Sequence, residues 1–210
     1  MPRQARKKSK SGMYHIMLRR INHKILFEDD EDKEKFLDTI KQYKQKSEYE
    51  IFGYYLMNNH VHLVMKEGTE LLENTMKRIG VSYVFWYNWK YKRSGHLFQD
   101  RFKSEPIEDD KYLLTVLKYI HQNPIKAGIV EELSKYRWSS YIEYVSTPRI
   151  VDRSFVLGIF SNNEQQLKDY LSHDNNEVNE HVLEMRVDRR VTDEEGGEII
   201  QRALKGLWGK

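Results

Sequence analysis

The stretch YEIFGYYLMNNHVHLVMK, residues 49–66, constrains the fold more than any other part of this chain. Two apolar, aromatic-rich runs flank a short polar joint around residues 57–59, the pattern of two strands connected end to end. Side chains alternate across a strand, so His60 and His62 face one way while Val61 and Leu63 face the other. Two imidazoles on one strand face have the spacing of a two-point metal ligand. A lone strand histidine is more often a satisfied core or surface residue, so the pair needs support from elsewhere in the chain.

The flanking segments supply an architecture. MYHIMLRR, from Met13, reads as another strand. Behind it, FEDDEDKEKFLDTIKQYKQKS carries Phe36, Leu37, Ile40 and Tyr43 at helical spacing after an acidic run suited to a helix N-terminus. A long helix starting near Thr69 follows the strand pair, with Gly80 as its weak point. GHLFQDRFKSEPIE reads as a short extended pair. DDKYLLTVLKYIHQNP is then a helix capped at Asp109 or Asp110, and Pro124 predicts that it stops at Asn123. The order strand, helix, strand, strand, helix implies an α+β fold, an antiparallel sheet with helices packed on it. His60 and His62 are expected on an inner strand. We divide the chain into a basic flexible tail (1–12), a catalytic domain (13–146) and a helical C-terminal appendage (147–210). Thr192 and Glu195 suggest a capping box for a last helix in that appendage.

Charge and ligand chemistry narrow the function. The formal charge of +3 hides an asymmetry, with 21 Lys/Arg against 14 Asp/Glu up to Ile107 and 14 against 18 beyond it. A basic first half suits a polyanion partner. No cysteine is present, so histidine and oxygen ligands are the stock for any metal, and disulfides are excluded. No apolar run approaches the roughly 20 residues that cross a bilayer, and no signal segment follows the basic start. We therefore expect a soluble cytoplasmic protein.

The 110–126 region carries the remaining chemistry. Tyr119 and Asn123 are four apart and share a helix face, Gln122 lies beside them, and Tyr112 falls two turns earlier on nearly the same face. Leu113, Val116, Leu117 and Ile120 form the apolar side. NNHVHLV, GHLFQDRFKSEPI, DDKYLLTVLKYIHQNPIKAGIV and YRWSSYIEY occur in that order. Together, over residues 13–145, they resemble the HUH single-tyrosine transposases, closest to the REP-associated tyrosine transposases.

That resemblance implies a ferredoxin-like domain in which His60 and His62 hold a divalent cation, Mg²⁺ or Mn²⁺, and Tyr119 attacks a DNA phosphate. The third ligand in relatives lies one turn after the tyrosine and is typically glutamine. Here Asn123 has that offset and Gln122 adjoins it, and geometry favours Asn123. The resemblance also implies cleavage and rejoining through a 5′-phosphotyrosine on single-stranded or hairpin DNA. Lys118 or Lys126 is expected to assist proton loss from the tyrosine. Relatives include monomers and dimers that exchange the tyrosine helix, so a homodimer is one expectation.

Basic residues mark a DNA surface. Arg101 and Lys103 lie in a family-like segment, and Lys90, Lys92 and Arg93 interleave with Tyr83, Phe85, Trp86, Tyr87, Trp89 and Tyr91, a mixture that stacks bases and neutralises phosphates. Half of those aromatics must face the core of an amphipathic helix. Two alternatives stand beside the enzyme: a metal-dependent phosphoesterase without a covalent intermediate, and an inactive DNA-binding module.

Overall fold

The computed structural model describes residues 6–21, 24–99 and 101–173. The strand pair is present: β2 (Glu50–Leu56) and β3 (His60–Lys66) run antiparallel with Tyr55 opposite His62. β1 (Met13–Arg19) pairs antiparallel with the other side of β3, and β4 (Lys103–Ile107) pairs antiparallel with β1. The sheet order is β2-β3-β1-β4, so β3 and its two histidines occupy an inner position, as expected. Pro106 sits in β4, an edge strand, where a missing N–H costs the ladder least.

Two helices connect the strands. α1 (Asp30–Ser47) starts where the Asp29 carboxylate accepts the Asp32 N–H and has three acidic residues in its first turn, which suit the positive end of the helix dipole. α2 (Leu72–Lys90) begins three residues later than Thr69. The Thr69 N–H is taken by the Ser47 carbonyl and the Leu72 N–H by the Glu67 carboxylate, so this connection is tied to the end of α1. Gly80 does not interrupt α2. The two helices pack against each other through Phe36 and Tyr83, whose rings meet edge to face 5.1 Å apart. The Tyr49 hydroxyl, donating to the Ile40 carbonyl, fastens α1 to the start of β2.

The opposite sheet face carries His15, Met17, Tyr55, His60 and His62, and α3 (Asp110–Lys126) covers it. Asp109 caps α3 by accepting the Tyr112 N–H. The expected stop at Asn123 is corrected: the helix passes through Pro124 and ends near Lys126. Gly128, at φ 66°, provides the left-handed residue that closes it. The Gly128 N–H bonds to the Ile125 carbonyl and the Ile129 N–H to the Pro124 carbonyl, the paired bonds of a Schellman motif. These closing bonds outweigh the bias that Pro124 imposes on Asn123. At Gly53 the sheet and α3 approach so closely that a Cβ would lie 2.6 Å from Leu117 Cδ2 and 2.9 Å from Ile120 Cδ1.

The chain after α3 continues in short helices, and the described part of the expected C-terminal appendage, from residue 147, is helical. It makes a 3-10 turn (Leu133–Lys135), then α4 (Tyr141–Val145), α5 (Arg153–Ile159) and α6 (Glu164–Ser172). On the way it covers the free edge of β2, with Leu56 N–H donating to Trp138, Ser140 N–H to Tyr54 and Asp152 N–H to Ile51. The buried Glu143 carboxylate accepts the Tyr54 hydroxyl and the N–H groups of Arg149, Ile150 and Val151. α6 packs against α3 and α4.

The basic tail also needs correcting over its described part. Arg6 stacks 3.8 Å over Phe102 and donates to its carbonyl, and the Lys10 and Ser11 N–H groups bond to Glu108, so residues 6–12 are pinned beside β4. Residues 1–5, and the Thr192–Glu195 capping box with the rest of 174–210, lie outside the described residues.

Candidate active site

Three histidines and a tyrosine converge where α3 crosses β1 and β3. The sheet register puts Met17 opposite His62, and one step along the same face of β1 lies His15. Its Nε2 is 2.9 Å from His62 Nδ1, with the ring centroids 5.1 Å apart and the planes 21° from parallel. His60 and His62 rings are 5.1 Å apart, and His60 Nδ1 is 2.7 Å from the Asn59 side-chain oxygen. The Tyr119 ring lies 5.9 Å from His62 and 6.3 Å from His15. Tyr119 and His62 are 7% and 2% exposed, so the group is nearly dry.

Burial sets the charge state. It holds His62 well below the ordinary histidine range, with His15 and His60 adding to the effect. It lowers His60 to about 4, with a further push from Arg19, which stands opposite His60 in the β1–β3 register. Both are therefore neutral near pH 7, the form in which imidazole is a ligand. The Asn59 oxygen can only accept, so the proton of His60 is on Nδ1 and Nε2 carries the lone pair.

This donor set fits a divalent cation, with His60 and His62 each offering an imidazole nitrogen. Among the described residues no group of three or more His, Asp or Glu side chains forms a metal centre. The Gln122 amide nitrogen donates to the Leu171 and His173 carbonyls at the end of α6, which turns that side chain away from the histidines. Asn123, half-buried, stays one turn from Tyr119 on the same helix.

Other expected residues separate. Lys118 is buried with its ammonium 4.8 Å from the Tyr170 ring centre, on the α6 side of the helix. Burial pushes the Tyr112 hydroxyl's pKa up, and its bond to the Glu105 side chain adds to the effect. Lys103 stands opposite Met17, so it occupies the same cross-strand row as His62 and the same face of the sheet. Arg101 and Lys92 are exposed, and Arg93 lies 5.6 Å over the Tyr87 ring. Lys90 is already neutralised by Asp29, Glu31 and Asp32. Of the α2 aromatics, Tyr83 and Tyr87 are core residues, while Phe85 and Trp89 remain 77% and 74% exposed.

His15 was missed from sequence. Its signal was available in MYHIMLRR, a histidine on a strand, but its meaning depended on which strand β1 pairs with and in what register.

Comparisons with known proteins identify the family and the fold. Residues 8–123 match the family model described as "Transposase IS200 like". A "Putative REP-associated tyrosine transposase" from Haemophilus influenzae (strain ATCC 51907 / DSM 11121 / KW20 / Rd) is 31% identical over 122 residues, covering 50% of this chain and 66% of that protein. The solved structure of a REP-associated tyrosine transposase bound to a REP hairpin superimposes with a TM-score of 0.60 at 19% identity, over 73% of this chain and 96% of that one. That similarity extends to the α+β fold.

Proposed function

We propose a function from one premise: this chain belongs to the IS200-like transposase family. We infer that it cleaves and rejoins single-stranded DNA, on hairpin-bearing substrates, with Tyr119 as nucleophile. The observation that supports this most is the Tyr119 ring seated against His62, beside a second histidine whose Nδ1 is also occupied. His60, His62 and the Asn123 side-chain oxygen would hold the cation, Mg²⁺ or Mn²⁺. When bound, it withdraws charge from a phosphate oxygen and orients the group for in-line displacement.

In the cleavage step the Tyr119 oxygen bonds to phosphorus as the P–O3′ bond breaks. The tyrosine loses its proton and the departing 3′ oxygen gains one. The phosphotyrosine retains the energy of the broken ester, so a second 3′-hydroxyl can reverse the reaction on a new partner without a nucleotide cofactor. Lys103, in the His62 row, and Arg101 and Lys92 are the phosphate contacts we assign, with Arg93 at the edge of this surface. Lys90 is left out, because its charge is spent on three carboxylates.

The test is a labelling experiment on hairpin-bearing single-stranded DNA with Mn²⁺. A 3′-labelled strand should become covalently attached to the protein and a 5′-labelled strand should be released. Tyr119→Phe should reduce the adduct to background. Cleavage without any adduct would favour the hydrolytic phosphoesterase, and hairpin binding without cleavage would favour an inactive binding module.

A further inference from the structure

The cleavage step uses His60, His62 and Tyr119 and assigns nothing to His15. Yet His15 is fully buried, touches both His62 and Tyr119, and makes one of the shortest side-chain contacts in the site. A neutral imidazole carries one proton, so a bonded His–His pair has two arrangements. In one, His62 Nδ1–H donates to His15 Nε2 and His62 Nε2 bears a lone pair. In the other, His15 Nε2–H donates to His62 Nδ1, and His62 carries its proton on Nε2, where it cannot ligate. The far nitrogen of His15, Nδ1, is buried with no hydrogen-bond partner among the described residues. Nothing on that side holds the His15 proton in one place, so His15 can serve as either donor or acceptor.

We propose that His15 is a positioning residue for the metal site: it accepts the His62 Nδ1–H and holds His62 in the tautomer and ring orientation that ligates through Nε2. This rests on the metal-dependent reading above. It makes the site symmetrical in design, because Asn59 does for His60 what His15 does for His62. Outer hydrogen bonds of this kind fix ring orientation and raise the basicity of the ligating nitrogen. The two ring planes lie within 21° of each other, as an in-plane N–H···N bond between them requires.

The test measures Mn²⁺ binding by the full chain, from the electron paramagnetic resonance signal of free Mn²⁺, for wild type, His60→Ala, His15→Phe and His15→Gln. Removing an outer-shell partner typically costs about 10- to 100-fold in metal affinity, and that weakening is expected for His15→Phe with hairpin binding retained. His15→Gln keeps an acceptor oxygen and should recover most of the affinity. In ¹⁵N-labelled wild type with Mg²⁺, long-range ¹H–¹⁵N correlations should show the His62 proton on Nδ1. If His15→Phe binds Mn²⁺ like wild type while His60→Ala does not, the positioning role is wrong and the metal site stands. Wild type that binds no Mn²⁺ would overturn the metal reading itself. Should the His15 variants fail to fold, the His62 tautomer in Mg²⁺-loaded wild type decides the matter, and a proton on Nε2 rejects the proposal.

Discussion

Tyr112 and Tyr119 lie two turns apart on α3, and their surroundings separate them. Tyr119 faces the histidines, whereas burial, and then the bonded Glu105 carboxylate, strengthen the grip of the Tyr112 oxygen on its proton. Tyr112→Phe should therefore leave the DNA adduct in place, measured on denaturing gels with 3′-labelled strand, and loss of the adduct there would reassign the nucleophile. At His60 the expectation is different. His60→Ala removes a ligand without touching a phosphate contact, so metal-dependent cleavage should vanish while hairpin affinity, read by fluorescence anisotropy, changes little. A parallel loss of binding would mean that the histidine acts on DNA directly.

The elements meet at Gly53 on β2, and the position of α3 depends on that meeting. A methyl group there would overlap Leu117 and Ile120, so Gly53→Ala must push α3 outward or distort β2. Overpacking of this kind costs about 1–3 kcal/mol. Because Tyr119 rides on the same helix, activity should fall further than stability alone explains, which paired thermal melts and cleavage rates would reveal. The β2 edge depends on Glu143 in a comparable way. Three backbone N–H groups and the Tyr54 hydroxyl point at its carboxylate. Glu143→Gln places a donor among donors and should destabilise by about 1–3 kcal/mol in denaturant titrations, from groups left unsatisfied.

For the whole molecule, the buried histidines link stability to pH. Burial lowers His15 and His121 to about 3 and His60 to about 4, and holds His62 well below the usual 6.5. The folded state resists protons that the unfolded chain accepts near pH 6.5. Their contribution is thus complete above about pH 6.5 and declines as the pH falls toward 4 and 3. Metal-free protein should melt at progressively lower temperature from pH 7 to pH 4, and a constant melting temperature across that window would contradict the burial of this cluster. Binding to DNA should weaken steeply with salt, because phosphate neutralisation releases counterions.

What the residues determined unaided was local. The strand pair, the acidic start of α1, the cap at the start of α3 and the apolar faces of both helices follow from periodicity and capping chemistry, which act within a few residues, and their order was enough to indicate the sheet. The two histidines of β3 were legible because the spacing within one strand fixes which side chains share a face, whereas Tyr119 was distinguished from Tyr112 by the family resemblance. Tertiary structure decided the rest. His15 joined the site only through the β1–β3 register, a pairing of residues 47 positions apart. Gln122 was removed from it by carbonyls of α6, and Lys90 was neutralised by carboxylates around the start of α1. Pro124 failed to end its helix because Gly128 closed it one turn later. In each case a partner distant in sequence, or a competing closure, set the energy of the side chain or turn, and nothing in the residue's own neighbourhood encoded that partner.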